Sequence, residues 1–178
     1  MSASFEKKDN LNITESSNYR LVIAELPQTS MMCQGISLPG ISIGQANVPS
    51  PLVDYSKSGD KVVFDPLRVD FLVDEDLGNW KEIWKWIMYL GFPISTKQFK
   101  KLILDNTEYK EVSDIGLILT TNKKNPNNIV TFVDAFPVDL AGLDFTTTSD
   151  GTVHISSSIT FTYSYYYFGN QSEYNSEI

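Results

Sequence analysis

Few side chains in this sequence could carry chemistry, and their spacing argues against it. There is one histidine, His154, and one cysteine, Cys33. A zinc-type site needs several nitrogen and sulfur ligands at short intervals, and one of each gives no such set. His154 sits in the run HISSSITFT, so it reads as a solvated or hydrogen-bonded strand residue rather than a general base. A single cysteine permits no intrachain disulfide and reads as a structural thiol in a strand. Asp74-Glu75-Asp76 could offer oxygen ligands to a hard cation. The run also precedes a helical pattern, where carboxylates interact well with the helix dipole, and that is the stronger explanation. The Lys123-Lys124 pair falls in a turn. The aromatic run Tyr163–Phe168 could stack on sugars or bases, but at strand spacing it reads as core plus an outer interface. No GxGxxG, Walker or GxSxG motif is present. The expectation is a protein without catalysis, cofactor or metal.

The chain has 178 residues, 42% apolar and 20% charged, which suits one globular domain. Its formal net charge of −8 opposes binding to nucleic-acid phosphates, and would help if DNA had to pass without sticking. No apolar run approaches the ~18 residues of a membrane helix. The start, MSASFEKKDN, lacks the apolar stretch of a signal peptide. A cytoplasmic origin is expected, with Asn12-Ile13-Thr14 and Asn170-Gln171-Ser172 as chance glycosylation matches.

Periodicity places the elements. Met1–Ser17 and Gly169–Ile178 are polar tails flanking one domain, Asn18–Phe168. Tyr19, Leu21 and Ile23 alternate in a strand that Pro27 ends. Met31–Leu38 is a second candidate strand, turned at Pro39-Gly40. Ile41–Ala46 is short and extended. Lys61–Val73 is the clearest strand, with Leu67, Val69, Phe71 and Val73 on one face and a bulge or edge at Pro66. Asn79 is expected to cap a helix over about Trp80–Leu90, with Glu82 completing a capping box. Trp80, Ile83, Trp84, Ile87 and Leu90 form its packing stripe. Ser95–Leu104 is ambiguous between helix and strand. Ile115–Thr121 and Ile129–Phe136 flank a turn-rich hairpin loop. Thr152–Phe168 is one long strand with Tyr163, Tyr165 and Tyr167 on a common face.

The stretch with least internal logic is Asn47–Gly59. It carries Pro49, Pro51 and Gly59 among serines and has little apolar periodicity, which marks a loop or long open hairpin. An arm of this kind packs poorly on its own domain, which points to assembly with a neighbour.

The order of these features resembles the tail tube proteins of contractile-tailed bacteriophages and their baseplate tube-initiator relatives. Four segments carry the resemblance: Leu38-Pro39-Gly40; the Pro-containing arm Val48–Asp60 ending in Gly-Asp; the strand Asp65–Glu75 entering the helix; and Phe136–Phe145 before the aromatic-ended strand. It spans about Asn18 to Phe168, while Ser95–Ser113 does not follow the pattern. The resemblance implies a mainly β fold, a β-sandwich or partial barrel with one short α-helix. It implies a structural virion subunit in stacked hexameric rings whose sheets merge around a channel for DNA. Val48, Pro49, Pro51, Tyr55, Lys57, Gly59 and Asp60 would then form the inter-subunit arm, with Leu38, Pro39 and Gly40 setting its exit angle. The implied partners are copies of the chain, the tail sheath, the baseplate hub or tube initiator and the tape-measure protein, with no membrane. A tube initiator, a tube of a related injection machine, and a carbohydrate-binding β-sandwich using Tyr163–Tyr167 are the alternatives.

Overall fold

A computed structural model describes residues 13–91, 110–146 and 154–169. In chain order the elements are β1 (Tyr19–Ile23), α1 (Pro27–Met31), β2 (Cys33–Ser37), β3 (Ile41–Val48), β4 (Tyr55–Phe64), β5 (Leu67–Leu72), α2 (Gly78–Gly91), β6 (Ser113–Thr120), β7 (Pro126–Leu140), β8 (Ser156–Thr162) and β9 (Tyr165–Phe168). The fold is mainly β. A seven-stranded antiparallel sheet runs β1-β6-β7-β8-β5-β2, with β9 also on β7. The sheet does not close into a barrel, and β1 and β2 are its outer strands.

β7 organises the body. Its first half pairs with β6 on one edge and β9 on the other, and its second half pairs with β8. Between the halves Asp134 has φ 54°, and the register with β6 slips between Ser113 and Ile115. A bulge of this kind bends a strand and redirects its side chains. The Asp134 N–H donates to Asp114 Oδ1 at 3.2 Å, which holds the bend. Opposite it, β8 gives way to β9 at Tyr163-Ser164, where the Ser164 N–H donates to the Val133 carbonyl at 3.0 Å. The expected single strand is therefore broken, and Tyr163 shares a cluster with Tyr166 rather than lying in line with Tyr165.

Both halves turn their apolar rows to one core. Leu21, Ile23, Ile115, Leu117, Val130 and Phe132 come from the first half. Leu67, Val69, Phe71, Ile159 and Phe161 come from the second. α2 contributes Ile83 and Trp86, both fully buried, with the Trp86 ring 6.2 Å from that of Phe161. Trp80, Ile87 and Leu90 are partly buried against this core. Trp84 is not part of it: 44% exposed, it faces outward. The 3.6-residue period could place either tryptophan on the stripe. Trp86 wins because its ring fills the core while its indole N–H reaches the Lys110 carbonyl at 2.9 Å near the surface.

Two local expectations change. Pro27 opens the five-residue α1 at its first turn, where the missing N–H costs nothing. Asn79 lies inside α2 and is buried rather than capping from outside. Its Oδ1 accepts from the Trp80 N–H at 2.8 Å and its Nδ2 donates to the Leu72 carbonyl at 2.6 Å, so it ties the end of β5 to the helix. Ser95–Leu104 lies outside the described residues.

Candidate assembly surface

The expected strand Lys61–Val73 is cut at Asp65-Pro66, because Pro66 cannot donate a ladder bond. What precedes the cut pairs with β3 instead. β3 and β4 form a separate two-stranded ribbon, in register from Ile41↔Phe64 to Val48↔Tyr55. The arm is thus longer than Asn47–Gly59, and only residues 49–54 form its turn. Ser56 Oγ donates to Asn47 Oδ1 at 2.9 Å near the tip.

Gly59 and Asp60 belong to a bulge opposite Gly44, where the register slips between Ile43 and Gln45. A Cβ on Gly59 would meet the Gly44 carbonyl oxygen at 2.8 Å, so this position requires glycine. Pro49, Pro51, Tyr55, Lys57 and Asp60 are exposed, and Val48 and Gly59 half-buried. The sequence did not single out the ribbon base, where Ile41, Ile43, Val62 and Val63 are all exposed. At the turn Leu52 is 94% and Val53 74% exposed. Ile41, Ile43 and Val62 share one ribbon face and Val63 lies on the other, and exposed apolar side chains left uncovered by the described residues mark a contact surface.

The ribbon joins the body through two legs. Pro39 is buried, Leu38 and Gly40 are exposed, and the Asp65 N–H donates to the Gly40 carbonyl at 3.1 Å. The Tyr166 hydroxyl donates to the Pro39 carbonyl at 3.3 Å and the Tyr163 hydroxyl to the Asp65 carbonyl at 2.7 Å. Burial, with Tyr166 and Asp65 adding to it, pushes the Tyr163 phenol up to about 12. It therefore stays a donor through the neutral range.

A second surface lies on the outer side of β7, β8, β5 and β2. Cross-strand partners place Ser37, Arg68, Thr160 and Asp139 in one row and Asp70 beside Ser158 in the next. Arg68 Nε pairs with Asp70 Oδ1 at 3.2 Å. This face is rich in short hydroxyls, sets Arg68 against Asp70 and Asp139, and includes the exposed Phe136 opposite Thr162. One side of this four-strand group ends at β2, and the other at residues 136–140 of β7, beyond the reach of β6.

The residues considered for chemistry come near one groove without forming a metal site among the described residues. Cys33 and His154 border one shallow groove of about 370 Å³ with Asp74 and Glu75. Among the described residues no three His, Cys, Asp or Glu converge as a metal site. Burial raises the Cys33 thiol pKa, which keeps it protonated. Asp74 Oδ1 accepts from the Glu75 N–H at 2.9 Å, a local turn bond. Among the described residues no helix is long and apolar enough to cross a membrane.

With the ribbon, its legs and the open sheet in view, the comparison with known proteins is direct. The phage tail tube protein family matches residues 4–169. The chain belongs to that family. The tail tube terminator protein of Enterobacteria phage T4 is 26% identical over 163 residues, covering 87% of this chain and 88% of that protein. Two solved structures share the fold. The tube-terminating cap of the anti-feeding prophage superposes with a TM-score of 0.62 at 13% identity, over 96% of this chain and 99% of that one. The sheath/tube terminator of the PVC extracellular contractile injection system gives 0.60 at 15% identity, over 89% and 98%. This phage tail tube family member is thus similar in sequence to one tube terminator and in fold to two others.

Proposed function

We propose that this chain terminates a contractile-tail tube, forming a ring, six-membered by family analogy, that seats on the last tube ring through the β3–β4 ribbon. The observation that carries this is the set of exposed apolar side chains on a ribbon that, among the described residues, pairs only with itself. Support for a terminator rather than a main tube subunit comes from the T4 relative and from the two terminator folds. Ring closure would join the free β2 edge of one copy to the free second half of β7 in the next, which removes both open edges.

The polar outer face of β7, β8, β5 and β2 would then line the channel. Arg68 set against Asp70 and Asp139 leaves a slight negative balance, so DNA would slide past without attraction. Sheath, hub and tape-measure contacts belong to the same proposal, as does assembly in the host cytoplasm. Sugar binding is disfavoured, because Tyr163 is only 8% exposed and its hydroxyl is already bonded.

Negative-stain microscopy of the purified protein tests this. Single rings that cap preformed tubes are expected, and deletion of Asn47–Gly59 should leave a folded chain that no longer caps. Long self-grown tubes would instead favour a main tube subunit. Normal capping by the deletion variant would reject the ribbon as the contact.

A further inference from the structure

A two-stranded ribbon with no further strands is marginally stable and free to swing. Among the described residues its strands pair only with each other, and two single-chain legs attach it to the body. Each leg nevertheless gives up one carbonyl to a tyrosine: Pro39 to Tyr166 on entry and Asp65 to Tyr163 on exit. The rings beneath these hydroxyls form one cluster. Phe64, the last ribbon residue, lies 6.1 Å from Tyr163 and 5.5 Å from Tyr166 between ring centroids. Phe132 lies 5.0 Å and 5.4 Å from the same pair. Phe132 is fully buried, so the cluster is rooted in the core. Residues 163 and 166 could not share a face of an unbroken strand. The break at Tyr163-Ser164 brings both rings to one side.

We infer that Tyr163 and Tyr166 are positioning residues that pin both legs of the ribbon and hold it at its docking angle before a partner arrives. This rests on the ribbon being the docking element proposed above. Fixing the angle in the free chain lowers the ordering cost at the interface, which is how preorganisation strengthens binding.

The test uses the full chain with Cys33→Ser and spin labels at Leu52→Cys, on the ribbon turn, and Lys123→Cys, on an exposed body turn. Electron–electron distance measurements read the spread of ribbon positions in the unassembled protein. The parent should give one narrow distribution. The Tyr163→Phe/Tyr166→Phe double variant keeps both rings, so its circular dichroism and melting should stay close to the parent. Its distance distribution should be about twofold broader, and its capping of preformed tubes about tenfold weaker. An unchanged width overturns the inference whatever happens to capping. Broadening with undiminished capping overturns it as well. If the double variant does not fold, Tyr166→Phe alone answers the same question through its half-exposed hydroxyl. Failure of the docking reading itself shows separately, as normal capping after deletion of Asn47–Gly59.

Discussion

The Tyr163 hydroxyl and the Asp65 carbonyl, 98 positions apart in the chain, meet at 2.7 Å where the ribbon leaves the body. The bond is made by a phenol whose surroundings hold it neutral, up to about 12. A phenol raised above its unfolded value of 10.0 contributes stability that is complete below that value and lost as pH rises through the folded one. Denaturation midpoints of the parent should therefore fall between about pH 10 and about pH 12. Tyr163→Phe should flatten that fall without abolishing it, because Tyr19 is also pushed up to about 12 by burial. An identical slope in the variant would contradict the assignment.

Trp84 and Trp86 are two residues apart on one helix and should behave oppositely. Trp86→Ala removes a fully buried ring and its bond to the Lys110 carbonyl, costing about 3–5 kcal/mol in urea unfolding. Trp84→Ala touches a side chain that faces outward, and its cost should stay under about 1 kcal/mol. Equal losses would mean that the helix is rotated from the position described.

Gly59 gives a way to damage the ribbon alone. Gly59→Ala places a Cβ against the Gly44 carbonyl oxygen at 2.8 Å and carbon at 2.9 Å, so the bulge must open. Hydrogen exchange should accelerate at the amides of β4 while unfolding of the body changes by less than about 0.5 kcal/mol. A large global loss would show that the ribbon is part of the folding unit.

Glu82 faces the first turn of α1. Burial raises its carboxyl pKa, against the opposing pull of the Gln28 and Thr29 backbone N–H groups and of Lys85. Its Oε2 is buried with no hydrogen-bond partner among the described residues. A folded pKa above the unfolded one favours folding at low pH, and that advantage is lost as pH rises through the folded value. Glu82→Gln removes the neutral-pH penalty. Thermal melts should find the variant more stable than the parent at about pH 7, and the difference should shrink toward about pH 4. A less stable variant at neutral pH would show that the carboxylate charge is needed against α1.

Much of the fold was legible in the sequence, because alternation on β1, β5, β6 and β8 survives intact in the core. Leu67, Val69 and Phe71 are all fully buried, as their spacing requires. Three features escaped for a physical reason in each case. The break at Asp65-Pro66 assigns residues 61–64 to a partner strand that alternation cannot name, since Val62 and Val63 fit either sheet. The bulge at Tyr163-Ser164 shifts the phase of the aromatic run by one, and no residue type announces it. The choice of Trp86 over Trp84 depends on a carbonyl at Lys110, which helical periodicity does not see. The proline and glycine punctuation of the arm gave its location, but not that its exposed face extends down to Ile41.

The ribbon takes its direction from the body and, apart from Phe64, lends no side chain to the body's core in return. Selection can therefore rewrite the solvent-facing letters of residues 41–64 with little penalty to folding, so long as Gly59 and Phe64 keep their places. Lineages that meet different tube rings could exchange this one segment like an interchangeable key, and leave the lock-plate that carries it unchanged.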